Sequence, residues 1–308
     1  MNPALIALDW GTTSLRAWLV AADGTVIDRV AAPLGILNVP DGDFAAAFAA
    51  TVGSWRAASP NLPAVASGMI GSRQGWREAP YVACPASPAA IAGGLTQVET
   101  GDGGSMAIVP GLTCVSDGVP DVMRGEETQI AGALVSAPGS RVVVLPGTHS
   151  KWAAVADDGQ VTTFTSFMTG EVFAVLCRHS ILGRLMVGDA TDPDAFDRGV
   201  AASAGAGTPG ALLHRVFAAR TLGLFERERP EALRGYLSGL LIGAEVVEGL
   251  AWRQAVARDA TPLIVGDRSL AALYERALRQ LGAGGQIGPA DAALEGLRRI
   301  ARAAGLAC

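Results

Sequence analysis

Cysteine and histidine are scarce in this chain. The four cysteines (Cys84, Cys114, Cys177, Cys308) are scattered over 308 residues with no C-x-x-C pair, and the three histidines are as dispersed. This argues against a disulfide framework or a zinc site and fits reduced thiols in a cytoplasm. A basic excess is also lacking. Lys and Arg number 24 against 29 Asp and Glu, a net charge of −5, whereas a nucleic-acid binder shows a basic face. No apolar run approaches the ~18 residues of a membrane span. The opening Met1-Asn2-Pro3-Ala4-Leu5 has no basic n-region and passes at once into a strand, so no signal peptide is read. No G-x-G-x-x-G follows that strand, which disfavours a plain dinucleotide-binding enzyme.

What is present is apolar bulk. Hydrophobic residues make up 50% and charged residues 17%, enough for a large core and for two domains of ordinary size. The most informative stretch is Asp9-Trp10-Gly11-Thr12-Thr13-Ser14. The apolar run Leu5-Ile6-Ala7-Leu8 leads into it, and the alternating run Leu15 to Val20 leaves it. Glycine and hydroxyl residues in such a turn can aim backbone N–H groups at an anion. Asp9 could hold a hydrated Mg²⁺, a hard cation that prefers carboxylate oxygens. Alone, the stretch also reads as a hairpin with a merely polar tip.

A second copy decides in favour of the anion site. Arg141-Val142-Val143-Val144-Leu145 leads into Pro146-Gly147-Thr148-His149-Ser150, and Lys151-Trp152-Ala153-Ala154-Val155 follows. Asp23-Gly24 and Asp158-Gly159 then turn each copy into a third strand. Gly11 and Gly147 stand 136 residues apart, and Gly24 and Gly159 stand 135 apart. Two hairpin-led units are repeated almost in step.

Between the hairpins, Asp41 or Asp43 can cap a helix through Phe44, Phe48, Val52 and Trp55. Ala64-Val65-Ala66 reads as a strand entering the polar loop Ser67 to Trp76. That loop is a ligand loop or a plain surface connection in which Trp76 packs. Gly93 to Ser105 reads as loop. Asp121 to Leu134 reads as a turn feeding a helix, with Glu126 and Glu127 near its positive end. Ala137 to Ser140 makes a boundary between a first domain at 1–137 and a second at 138–308, whose last helix (290–308) can return to the first. In the second half, helices are read at 169–182, 211–224, 231–249, 251–258 and 270–281. Asp192 to Phe196 reads as turn and 282–288 as loop. Gly266-Asp267 follows the strand Leu263-Ile264-Val265.

Two hairpin-led α/β halves resemble the sugar kinase/actin/hexokinase superfamily. More narrowly, six stretches resemble the 2-dehydro-3-deoxygalactonokinase family: DWGTTSLRAW (9–18), SGMIGSRQGWREAPYVACPA (67–86), PDVMRGEETQIAGAL (120–134), LPGTHSKW (145–152), TGEVFAVLCRHSILGRL (169–185) and GLLIGAEV (239–246). The resemblance implies an α/β chain of two ribonuclease-H-like domains with a nucleotide cleft between them. It implies ATP and Mg²⁺, and phosphorylation of 2-dehydro-3-deoxy-D-galactonate to its 6-phosphate in galactonate catabolism. Asp9 would hold the metal. Gly11, Thr12 and Thr13 would meet the phosphates, with Gly147 and Thr148 from the other domain.

Related kinases place an Asp base in a Gly-Asp-Gln segment, and the matching stretch here is Gly125-Glu126-Glu127-Thr128. Glu126 is therefore the leading candidate base, with Asp121 its rival and a helix-start cap the structural alternative for both. The carboxylate of a keto-acid substrate suits an arginine fork. Arg73 is the first candidate; Arg16, the next, could instead contact the phosphates. Trp76 in the Arg73 loop and His149 beside the second turn are further substrate candidates. Lys151 could stabilise the transferring phosphoryl group or only project from its strand. Gly266 and Asp267 stand where relatives carry an adenine-binding turn, but the usual Gly-Gly is missing, so an ordinary strand-to-helix turn is equally open. Two other readings remain: a kinase of another small sugar or polyol, and a nucleotide-switch protein without catalysis. The expected partner is a small sugar acid, with neither nucleic acid nor membrane. A homodimer is compatible with a sequence that does not reveal an oligomeric state.

Overall fold

The computed structural model describes residues 2–116, 118–137, 142–204, 211–257 and 260–307. The chain divides into two compact units: Met1–Gly139 with Val155–Phe164 and Asp291–Cys308, and Ser140–Ala154 with Thr165–Ala290.

The first unit is built on β1 (Pro3–Trp10), β2 (Leu15–Ala21) and β3 (Val26–Ala32). Leu5 to Leu8 are all buried, as a central strand covered on both faces requires. β2 alternates at its start, with Leu15 and Ala17 buried and Arg16 exposed. Helix α1 (Phe44–Ala58) is capped by Asp43, whose carboxylate accepts the Ala46 N–H at 2.9 Å. It buries Phe48, Val52 and Trp55, the stripe read from their spacing. Then follow β4 (Ala64–Ser67), β5 (Tyr81–Ala83), α2 (Pro88–Gly93), β6 (Thr96–Glu99), β7 (Ser105–Ile108), β8 (Gly111–Ser116), β9 (Val119–Met123) and α3 (Glu126–Ser136). The main sheet runs β3-β2-β1-β4-β7-β6, with β2 antiparallel and β4 parallel to β1. A second sheet runs β5-β8-β9.

The second unit repeats the frame. β10 (Val142–Leu145), β11 (Ser150–Val155) and β12 (Val161–Phe167, whose residues 161–164 are counted with the first unit) precede α4 (Thr169–His179), α5 (Pro193–Ala204), α6 (Ala211–Val216), α7 (Ala218–Leu224) and α8 (Leu233–Val256). Next come β13 (Pro262–Ile264), α9 (Arg268–Gln280) and β14 (Gln286–Ile287). The sheet order is β12-β11-β10-β13-β14. As in the first unit, the leading strand has an antiparallel hairpin partner on one side and a parallel strand on the other. The final helix α10 (Ala292–Ala303) belongs to the first unit and lies against α3. A methyl group on Gly132 would stand 1.9 Å from the Ala292 carbonyl, and one on Gly296 would stand 1.8 Å from that of Thr128. Glycine at both positions is what lets the two backbones meet.

Several local readings need correction. Thr96 to Glu99, read as loop, is a strand that pairs with β7 and buries Val98. Asp121 lies inside strand β9, paired with Cys114, and not in a turn. Residues 192–196 begin α5: the Asp192 carboxylate accepts the Ala195 N–H at 2.8 Å, the contact of an N-cap. The two helices read at 231–258 are one, because Gly249 interrupts nothing. The single helix read at 211–224 breaks at Phe217. α4 ends at His179, and Leu182 sits in a separate 3-10 turn. The loop read at 282–288 contains β14. Ala201 to Gly210, a run of small residues in the sequence, ends outside the described residues. No helix among the described residues is long and apolar enough to cross a membrane.

Candidate active site

In the first unit, Asp9 pairs in register with Arg16 and Trp10 with Leu15, so Gly11–Ser14 form the hairpin tip. The Gly11 N–H donates to the Ser14 carbonyl at 2.9 Å. The connection after β3 takes up the tip's carbonyls. The Ile36 N–H donates to Gly11 O at 3.0 Å, Leu37 N–H to Thr12 O at 3.1 Å, and the Asn38 side-chain amide to Thr13 O at 3.1 Å. With its acceptors held from that side, the tip leaves Thr12, Thr13 and Ser14 exposed, the polarity an anion needs. The Asp9 carboxylate makes an ion pair with the Arg16 guanidinium.

Parallel strand β4 brings a second loop beside this tip. Gly68 follows it at φ +96°, a left-handed conformation that favours glycine. A methyl group there would meet Trp10 O at 2.8 Å and the Asp9 carboxylate at 3.6 Å. Gly125, at φ +106°, precedes α3, and a methyl on it would stand 3.2 Å from the Gly68 Cα. Two glycines thus bring the start of α3 and the Asp9 strand end to one place. Glu126 opens α3, and its Oε2 accepts the Arg124 N–H at 2.9 Å. Glu127 is wholly buried and accepts the Gly125 N–H at 2.7 Å and the Thr128 hydroxyl at 3.1 Å. Burial, and next the neighbouring Glu126 charge, push the Glu127 carboxyl up to about 8. Asp121 uses one oxygen on the Val122 N–H at 2.7 Å.

The loop residues separate. The Arg73 side chain is 87% exposed and donates to Glu78 at 3.0 Å. The Trp76 ring stacks on Phe44 at 6.3 Å and meets Trp10 and Phe48 edge-on. Sequence reading passed over Arg124. Its guanidinium lies 4.4 Å from the Tyr81 ring centre and donates to Ala79 O at 2.8 Å. Its Nε and Nη1 are buried with no protein acceptor among the described residues. The only available signal was its position one residue before Gly125.

In the second unit, Leu145 pairs with Lys151 across the tip. Lys151 is buried, at 6% exposure, and its ammonium donates to the Ser166 hydroxyl at 2.7 Å. His149 contacts the Glu171 carboxylate. The first turn of α4 presses on the tip. Glu171 N–H donates to Thr148 O at 2.9 Å, and a methyl on Gly170 would stand 2.3 Å from Gly147 O. A pocket of about 180 Å³ opens beside Gly147, Thr169 and Gly170 and extends to Phe173, Arg234 and Tyr274. The Arg234 guanidinium lies 5.0 Å from the Phe173 ring centre. Asp267 caps α9: one carboxylate oxygen accepts the Ser269 and Leu270 N–H groups, each at 3.0 Å. Gly266 lies with its Cβ position 3.5 Å from Pro146 O.

A sheet of this order, repeated and led each time by a hairpin with a glycine-hydroxyl tip, defines the actin/hexokinase-type fold of sugar kinases. A Clostridium difficile activator of 2-hydroxyisocaproyl-CoA dehydratase shares that fold at 11% identity, over 97% of this chain and 95% of its own, with a TM-score of 0.52. Closer similarity is to Escherichia coli K12 2-dehydro-3-deoxygalactonokinase, 38% identical over 98% of this chain and 99% of the relative. A crystal structure from Sinorhizobium meliloti, provisionally named 2-dehydro-3-deoxygalactonokinase, is 35% identical over 97% of this chain and 98% of its own, with a TM-score of 0.87. The family model of 2-keto-3-deoxy-galactonokinase matches residues 9–300. The chain belongs to that kinase family.

Proposed function

We propose that this kinase transfers the γ-phosphoryl group of ATP to the 6-hydroxyl of 2-dehydro-3-deoxy-D-galactonate. The observation that carries the site assignment is the meeting, through Gly68 and Gly125, of the Asp9 strand end with the start of α3. A carboxylate that can orient an acceptor hydroxyl is thereby set beside a phosphate-type hairpin. Phosphoryl transfer needs positioning and charge neutralisation more than covalent chemistry.

Glu126 is the base that accepts the proton of the 6-hydroxyl as the oxygen attacks phosphorus. Its bond to the Arg124 N–H fixes one oxygen and with it the direction of the side chain. Asp121 is the weaker rival, because it lies in β9. Gly11, Thr12 and Thr13 meet phosphate oxygens in the first unit, and Gly147 and Thr148 do so in the second. Lys151 offsets negative charge there. Asp9 fits Mg²⁺, which is commonly bound by one or two carboxylates together with substrate phosphates and water. Mg²⁺ would supply neutralisation of the phosphate charge. The pocket of the second unit takes the nucleoside, with Gly266 and the backbone of Asp267 in the adjoining turn. Arg73, Arg16, Trp76 and His149 are assigned to the sugar acid, Arg73 first because its guanidinium is so exposed.

The test is ADP release with Mg-ATP, alone and with the galactonate compound, its gluconate epimer or a neutral sugar. Stimulation by the galactonate compound above the others is expected. Equal stimulation by a neutral sugar would replace the substrate with another small sugar or polyol. Slow turnover indifferent to every sugar would leave a nucleotide switch.

A further inference from the structure

Glu245 lies on α8 in the middle of an apolar run, at 2% exposure. Its carboxylate gathers donors from three other elements. Oε1 accepts the Ser150 hydroxyl at 2.6 Å and the Trp152 indole N–H at 2.9 Å, both from β11. Oε2 accepts the Tyr274 hydroxyl of α9 at 2.6 Å. The Thr169 side chain, at the start of α4, is a further group that acts on it, drawing its pKa down. Burial raises its pKa and these donors pull the other way, burial being the larger effect. The helix face is shaped for the contact. Gly249, one turn beyond Glu245, leaves the space that the Trp152 ring fills, since a methyl there would stand 2.5 Å from the indole.

What Glu245 holds is the rim of the pocket. Thr169 and Tyr274 line it, and Ser150 ends the hairpin tip whose Gly147 lines it as well. A buried carboxylate with unpaired oxygens would be costly, so retaining one here needs all of its donors in place. An apolar residue of similar size would fill the space but could not tie β11, α4 and α9 to a single point.

We infer that Glu245 is a positioning residue for the nucleotide: it fixes the second hairpin tip, the first turn of α4 and Tyr274 against one another, and so sets the shape of the pocket that receives ATP. The inference rests on the kinase reading of that pocket. It assigns Glu245 no contact with the reacting atoms.

The test is calorimetric titration of Mg-ATP, with separate KM values for ATP and for the sugar acid, in wild type, Glu245→Gln, Ser150→Ala and Tyr274→Phe. Gln keeps the shape and one carbonyl acceptor but removes the charge. Glu245→Gln is expected to weaken ATP binding about tenfold and to leave the sugar-acid KM within about twofold, a split that general loosening would not give. Ser150→Ala and Tyr274→Phe are expected to weaken ATP by about threefold each. Their effects should shrink in the Glu245→Gln background, because residues of one network do not add. Unchanged ATP affinity in a folded Glu245→Gln protein would overturn the inference, even with a lowered Tm. So would an equal rise in both KM values. Failure of the kinase reading would show differently, in the wild type itself, as ADP release indifferent to the sugar acid.

Discussion

The two hairpins share a frame and differ in the charge each holds. In the first, Trp10 with Leu15 closes the tip, and the pair just behind it is Asp9 with Arg16, an acid matched to a base at the edge of solvent. In the second, the closing pair is Leu145 with Lys151, and the cation is buried against a serine hydroxyl. The supports differ as well. The first tip is held through its carbonyls by the backbone of residues 36–37 and by Asn38. The second is pressed by the first turn of α4 and tied from beneath by Glu245. A duplicated backbone fixes where a turn can meet phosphate oxygens. What each copy does there depends on the side chains that later surround it. In the first unit Asp9 answers Arg16 and Glu126 opens α3; in the second, Lys151 answers Ser166 and Gly147 opens on a pocket.

The sharpest test of this division separates the carboxylates of the first unit. Glu126→Gln is expected to lower kcat by about 10²–10⁴-fold, the usual contribution of a positioned base. Asp121→Asn should stay within a few-fold of wild type, because its carboxylate serves the β9 backbone. Steady-state ADP release reads both. The reverse ranking would move the base to β9 and break the assignment of α3.

Next in size is the contrast between the hairpins. Asp9→Asn and Lys151→Met are each expected to cost about 10²–10³-fold in kcat, by analogy with the loss of one electrostatic stabiliser. They should part in metal dependence. Asp9→Asn should raise the Mg²⁺ concentration needed for half-maximal rate, and Lys151→Met should not. A similar Mg²⁺ requirement in both variants would erase the proposed asymmetry.

The hairpins were legible because apolar runs, glycine tips and a nearly constant offset all point the same way. The cap of α1 was legible to within two residues: Asp41 and Asp43 both stand just before an apolar stripe at helical spacing, and Asp43 is the one that caps. The sheet β5-β8-β9 was not. Its strands are short, one carries Pro120, a residue that argues against a strand, and Val115 and Val119 are exposed, so no alternation marks a buried face. Glu245 was hidden for another reason. It sits inside an apolar helix, and its partners Ser150 and Trp152 lie 95 and 93 residues away. Trp76 shows the limit at the site. Its type and loop suggest a ligand contact, and its half-buried ring also packs on Phe44, Phe48 and Trp10, so residue type and loop alone do not choose between the two roles.

Glu127 gives the first unit a pH dependence. Its carboxyl ordinarily titrates near 4.5 and here is held near 8 by burial and by Glu126. Between those values the folded chain keeps a proton that the unfolded chain has lost. Stability from this group therefore falls as pH rises from about 4.5 to about 8 and is level beyond. Glu127→Gln should flatten that slope and gain on the order of a few kcal/mol relative to wild type at pH 8 compared with pH 5. Urea midpoints at the two pH values decide it. Parallel slopes in variant and wild type would show that Glu127 is ionised in the folded chain.

The smallest effect is expected at Asp267, where the second unit's strand β13 turns into α9. Its carboxylate oxygen already accepts two backbone N–H groups of the helix start, and the Ser269 hydroxyl, followed by these bonds, lowers its pKa. A carboxylate occupied in this way has little left for a nucleotide. It would also repel phosphate, so a role at the site falls to the backbone of Gly266 beside Pro146 O. Asp267→Ala should cost about 1 kcal/mol, the usual loss of an N-cap. The ATP KM should stay within twofold. A larger rise in ATP KM with unchanged urea midpoint would give the side chain a nucleotide contact. The second unit would then hold a working carboxylate of its own, and the contrast with the first would narrow to Asp9 alone.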